Sequence, residues 1–286
     1  MKNSKAIVCL PLLTGAMLAH ACGPSSRNAG TRQAVTPRAS SVPTIVEETV
    51  IYAAGSREFE GALLRPRTEA DAPRPAVIIA HDFLGPGEYQ RSVGRKLAAA
   101  GYVVLVADFY GRGRRPTNTD EASRFAMEVR ADVPALRDAM LAAYRRLGAT
   151  EGVAKDRIAV IGYSVGGLAA LELARAGADL RAVVGLWPIL ESTRSDDAHA
   201  IEAEVLLVVG ERDPLVPEAA VEETRSLLRA DGTPHEIKVL PGVAHAFTVP
   251  GVGTNVSTGF AYDPAADEST WRDVETLLAR VAPVQD

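Results

Sequence analysis

Cysteine is nearly absent from this chain: two occur in 286 residues, Cys9 and Cys22. Aromatic residues make up only 5%, and 31 Lys and Arg are outnumbered by 36 Asp and Glu, for a formal charge of -5. Each shortage excludes something. Two cysteines cannot build a disulfide framework, so the fold must rest on an apolar core, for which the 47% hydrophobic content suffices. Without an excess of positive charge there is no electrostatic footprint for nucleic acid. No apolar run reaches the roughly 18 to 20 residues of a membrane-spanning helix. The H-E-x-x-H pair, a Cys/His cluster and a glycine-rich phosphate loop are also missing. Metal and nucleotide chemistry therefore have no support, and neither a metal nor a cofactor is expected.

The N-terminal segment stands apart in composition. Lys2 and Lys5 precede an apolar stretch from Ala6 to Ala19, interrupted by Pro11 and Gly15. It is too short to span a bilayer and reads as a secretory signal. Its end, Leu18-Ala19-His20-Ala21-Cys22-Gly23, resembles a bacterial lipobox, with His20 departing from the small apolar residue usual there. The expected organisation is a signal peptide over 1–21, a lipidated Cys22 with a flexible tether to residue 43, and a folded domain over 44–286. Cys9 leaves with the signal. A lone cysteine at the first mature position is better explained by lipid attachment than by redox chemistry. The protein is thus expected to be exported and lipid-anchored in the cell envelope, in the periplasm or at the outer membrane. The alternative, cleavage after Ala21, gives a soluble secreted protein.

Within the domain, apolar runs of strand length alternate with helical patterns. Ile45 to Tyr52 and Phe59 to Leu64 read as a hairpin. Ala76 to Ala80, Tyr102 to Val106, Ala182 to Trp187, Val205 to Val209 and Ile237 to Leu240 read as further strands. Helices are expected from about Tyr89 to Ala100, from a cap at Asp132, over Glu218 to Ala230 and over Ser269 to Val281. Such alternation predicts an α/β fold with a mostly parallel sheet covered by helices on both faces.

One stretch organises the rest. Ile158-Ala159-Val160-Ile161 is a buried-strand run, Gly162-Tyr163-Ser164-Val165-Gly166-Gly167 follows, and Leu168 to Ala176 is rich in helix formers. Strand, glycine-flanked serine and helix form the context of a nucleophile elbow. A serine hydroxyl needs a base to take its proton, and the base needs an orienting partner. Asp213, just past the Val205 strand, can orient an imidazole; Glu211 is a rival carboxylate. His245, just past the Ile237 strand, is the candidate base. His199 and His235 lie among polar residues, and His81 is near the site but precedes Ser164. The order Ser164, Asp213, His245 is that of α/β hydrolases. The oxyanion donors would be the backbone N–H groups of Val165 and Phe83.

Together His81-Asp82-Phe83-Leu84-Gly85, Asp108-Phe109-Tyr110-Gly111-Arg112, Gly162 to Gly167, Gly210-Glu211-Arg212-Asp213-Pro214 and His245-Ala246-Phe247 resemble the dienelactone hydrolase family of α/β hydrolases, over about residues 45 to 283. The resemblance implies Ser164 in place of the cysteine nucleophile used by well-studied members, and Asp82 in place of a glutamate. It implies Val249 where a substrate-carboxylate arginine stands, and Arg112 at a second arginine near the site. Asp82, Arg112 and Trp187 are therefore substrate-binding candidates. The expected activity is hydrolysis of small carboxylic esters or lactones through an acyl-enzyme. The alternatives are an exported serine peptidase and a catalytically inactive tethered binding module.

Overall fold

The apolar runs form the middle of an eight-stranded sheet in the computed structural model, which describes residues 44–67, 72–191 and 199–285. Residues 1–43, which include the expected signal segment, Cys22 and the expected tether, lie outside the described residues, as does 192–198 within the loop after Trp187. The strands are β1 (Ile45–Ala54), β2 (Arg57–Pro66), β3 (Arg74–Ala80), β4 (Val103–Ala107), β5 (Val153–Tyr163), β6 (Ala182–Leu186), β7 (Glu204–Gly210) and β8 (His235–Leu240). Their spatial order is β1-β2-β4-β3-β5-β6-β7-β8. β1, β2 and β4 are joined antiparallel, and every join from β4 to β8 is parallel. Gly55, at φ 56, supplies the positive φ that the two-residue β1–β2 turn requires.

Every residue of β4 and β6 is buried, so both sheet faces must be covered. Alternate residues serve two cores. Ala76, Ile78 and Ala80 of β3 belong to the core that also takes in Phe125 of α2 (Thr119–Ala131), Met140 of α3 (Val133–Gly148), Leu168 of α4 (Val165–Arg175) and Leu228 of α5 (Glu218–Ala230). Val77 and Ile79 belong to the second core, with Leu97 of α1 (Glu88–Ala99) and Val274 and Leu277 of α6 (Pro264–Val281).

Several boundaries differ from the sequence reading; β5, for one, begins at Val153, five residues before Ile158. α2 is a separate helix, its first turn capped by Asn118 Oδ1 accepting the Glu121 N–H at 2.9 Å. α6 starts at Pro264, not Ser269, because Asp263 caps it by accepting the Ala265 and Ala266 N–H groups. β8 begins at His235, not Ile237, as an edge strand whose polar residues pair with β7.

The topology places the site. The chain runs from β3 outward to β4 and then returns to β5 on the other side of β3. Strand order therefore reverses between β3 and β5, and ligands of open α/β sheets bind at the carboxyl ends of strands at such a switch point. The loops that leave β3 and β5 there carry His81 to Gly85 and Ser164.

Candidate active site

Ser164 forms the whole connection between β5 and α4 and adopts φ 53, ψ -119, a costly conformation for a residue with a Cβ. Packing enforces it. A Cβ on Gly162 would stand 2.0 Å from the Gly166 carbonyl oxygen. One on Gly166 would stand 2.3 Å from the Ala80 oxygen and 2.4 Å from that of His81. The turn closes only with glycine at both positions. Its backbone is tied down as well: the Ser164 N–H donates to Leu186 O, and the Ser164 carbonyl accepts from Gly167 and Ile189.

From this turn Ser164 Oγ lies 3.0 Å from His245 Nε2, and His245 Nδ1 lies 2.6 Å from Asp213 Oδ2. All three side chains are buried. A carboxylate only accepts, so Nδ1 carries the imidazole proton and Nε2 presents its lone pair to the serine hydroxyl. Asp213 is fixed by a turn at the end of β7: its N–H donates to Gly210 O, and its Oδ1 accepts the Leu215 N–H at 2.9 Å. Glu211, the rival carboxylate, accepts the Gly242 N–H at 2.7 Å at the surface.

His245 follows β8 and is gripped by a distant segment. Its N–H donates to Gly259 O, and its carbonyl accepts from the Ala261 N–H, a parallel bridge opposite Phe260. The Trp187 and Phe260 rings stand roughly perpendicular to the imidazole, at 4.9 and 5.3 Å between centroids. Trp187 is a buried wall, its Nε1–H donating to Thr248 Oγ1 at 2.9 Å, where the Tyr89 hydroxyl also bonds at 2.6 Å. Phe260, Thr248 and Tyr89 are contributions that periodicity and motif spacing do not single out. Leu84, Leu215 and Phe260 are exposed apolar side chains on the loops that carry Phe83, Asp213 and His245, and Phe260 packs against the His245 ring.

The loop after β3 holds Phe83. Asp82 organises it: Oδ1 accepts the Leu84 N–H at 2.8 Å and Oδ2 accepts Gln90 Nε2–H at 3.0 Å. Burial raises the Asp82 pKa above the ordinary carboxylate value. The Phe83 carbonyl accepts the Tyr110 hydroxyl at 3.0 Å. On the other side of the site, Val165 is the first residue of α4, so its N–H has no intrahelical acceptor.

Ser164, Asp213 and His245 are thus brought into one hydrogen-bonded chain. Arg112 is not joined to it: the half-exposed guanidinium donates to Glu58 at 2.8 Å and lies 3.8 Å from Glu60, both on β2. Among the described residues no cluster of three or more His, Cys, Asp or Glu could hold a metal ion. Nor is any helix among them long and apolar enough to cross a membrane.

Similar proteins share this architecture. The model of the dienelactone hydrolase family matches residues 59–282. A Bradyrhizobium protein described as a probable 2-oxo-3-(5-oxofuran-2-ylidene)propanoate lactonase is 29% identical over 214 residues, 71% of this chain and 83% of its own length. The solved structure named m3DLH is 30% identical, with a TM-score of 0.79, covering 83% of this chain and 99% of that one. The crystal structure of a dienelactone hydrolase-like promiscuous phosphotriesterase from metagenomic libraries is 28% identical, with a TM-score of 0.78, covering 83% and 98%. From the family match across the sheet, its helices and the loops around Ser164, the chain belongs to the dienelactone hydrolase family.

Proposed function

We propose that this protein is an exported serine hydrolase that cleaves carboxylic esters or lactones through an acyl-enzyme. The observation that carries the reading is the run of contacts from Ser164 Oγ to His245 Nε2 at 3.0 Å and from His245 Nδ1 to Asp213 Oδ2 at 2.6 Å.

In this mechanism Ser164 Oγ attacks the carbonyl carbon as its proton passes to His245 Nε2. The ring becomes an imidazolium facing the Asp213 carboxylate, which stabilises it and holds its tautomer. Negative charge gathers on the former carbonyl oxygen, where the N–H groups of Phe83 and Val165 donate. The tetrahedral species collapses, the C–O bond to the alcohol breaks, and Nε2 returns the proton to the leaving oxygen. Water then attacks the acyl-enzyme with His245 as base. The acid departs, and Ser164 regains its proton.

The Phe260 ring packed against His245, together with an Arg112 already paired to Glu58, favours neutral substrates with apolar groups over carboxylated ones. A lactone fits the same chemistry; its leaving alcohol stays tethered to the acyl group. Hydrolysis of a panel of neutral and carboxylated esters and lactones tests the substrate class. Turnover of the neutral compounds is expected, and turnover confined to carboxylated ones contradicts it.

The reading includes export and a lipid on Cys22, supported by the charged and apolar segments before it and by the lipobox-like Leu18 to Cys22. Full-length protein made in a bacterial host is expected to partition into detergent and to yield an N-terminal peptide with lipid on Cys22. Cys22→Ser is expected to lose that partitioning or to persist as precursor. An unmodified Cys22 at the mature N-terminus refutes the anchor and leaves the enzyme reading intact.

A further inference from the structure

His81 is buried beside the site and has no part in the proton transfers above. It directly follows β3, and its ring stacks on Phe109 with centroids 3.7 Å apart and planes 11° apart. The Tyr110 ring packs against it at a steep angle, 4.6 Å between centroids. His81 Nδ1 is 2.6 Å from the Asp82 carbonyl oxygen. A carbonyl only accepts, so Nδ1 carries the proton and Nε2 is bare. That nitrogen is buried with no partner among the described residues. The environment favours the neutral ring: burial pushes the His81 pKa down to about 4, against an opposing pull from Asp108.

An imidazole is an odd filler for such a slot. A phenyl ring would stack on Phe109 without leaving a bare buried nitrogen, which is costly. What the imidazole adds is the Nδ1–H bond, and its acceptor is informative. The Asp82 carbonyl belongs to the same peptide unit as the Phe83 N–H. In a trans peptide the C=O and N–H point in opposite directions. The carbonyl is pinned twice, by His81 Nδ1–H and by the Gly85 N–H at 3.1 Å. Pinning it fixes the direction of the Phe83 N–H. Donation to the carbonyl also draws charge through the peptide and strengthens that N–H as a donor.

We propose that His81 is a positioning residue that holds and polarises the Asp82–Phe83 peptide, so that the Phe83 N–H meets the oxyanion of the transition state. The proposal rests on the Ser164 mechanism above. Asp82 and Tyr110 complete the clamp, through the Leu84 N–H, Gln90 and the Phe83 carbonyl.

Three substitutions separate this role from packing. His81→Phe keeps the stacking and loses the donor. His81→Asn loses the stacking but offers an amide N–H near the place of Nδ1. His81→Ala loses both. Steady-state kinetics on a neutral ester and thermal midpoints are measured for all three. The Phe and Ala variants are expected to lose about 100-fold in kcat, as for loss of one oxyanion donor, with KM within about threefold. Asn is expected to stay within about tenfold of wild type although its midpoint falls. Packing alone predicts the opposite order, activity following stability. The proposal is overturned if Phe or Ala keeps kcat within about threefold of wild type, or if Asn falls as far as Ala. The Asn and Ala pair decides the matter even where Phe fails to fold. Ser164→Ala in the same assay separates the two levels: retained hydrolysis there refutes the underlying mechanism, whereas its loss beside an active Phe variant refutes the role of His81 alone.

Discussion

One carboxylate oxygen of Asp213 lies 2.6 Å from Nδ1 of His245 while the other accepts the Leu215 N–H at 2.9 Å. The second bond denies the carboxylate free rotation, so the imidazole meets it in a single geometry. Asp213→Asn preserves shape but replaces an acceptor with an amide, which favours the tautomer that cannot take the Ser164 proton. A loss of about 10³ to 10⁴ in kcat is expected with an unchanged thermal midpoint. Activity within tenfold of wild type would show that another group orients His245.

Arg112 gives a prediction of no effect. The family resemblance places an arginine near the site, but this guanidinium is committed to Glu58 on the surface. Exposed ion pairs contribute little to stability. Arg112→Ala is expected to leave the melting midpoint and the Michaelis constants of neutral and carboxylated esters alike. A KM increase confined to carboxylated esters would mean that Arg112 leaves Glu58 to bind substrate.

Acid sensitivity follows from His81. Its pKa is about 4 in the folded protein, against an ordinary value of about 6.5. Between these values the unfolded chain binds a proton that the folded one does not, so stability falls as the pH drops. The contribution is intact above about pH 6.5 and is lost as the pH falls through about 4. From pH 7 to 4.5 the cost is on the order of 2 kcal/mol. Urea unfolding of wild type and His81→Asn at both pH values isolates it. The stability gap between the two proteins is expected to narrow by about that amount at pH 4.5. An unchanged gap would mean that His81 titrates normally.

Much of the architecture is legible because burial on both sheet faces writes itself as unbroken apolar runs, as in Ala76 to Ala80 and Ala182 to Leu186. Ser164 is legible for a related reason: Gly162 and Gly166 are demanded by contacts shorter than any Cβ allows. Asp213 and His245 follow from their places just beyond β7 and β8. Elements that depend on tertiary pairing are harder to read. α2 buries only Ala122, Phe125, Ala126 and Val129 among charged neighbours, which blurs its period. Asp263-Pro264, an N-cap with proline in the first turn, does mark the start of α6. Nothing local announces that Phe260 bridges His245, or that Trp187 turns inward to Thr248. These contacts form across loops, where neither helical nor strand periodicity operates.

Covalent labelling is the decisive measurement for Ser164 as the nucleophile. The purified protein is treated with a fluorophosphonate probe, the adduct is located by peptide mass spectrometry, and ester hydrolysis is followed in parallel. Stoichiometric phosphonylation of Ser164 is expected, with hydrolysis lost in step. Ser164→Ala is expected to take no label and to fall by at least about 10³-fold in kcat. Full labelling of the alanine variant, or hydrolysis that survives complete labelling at Ser164, would contradict that role.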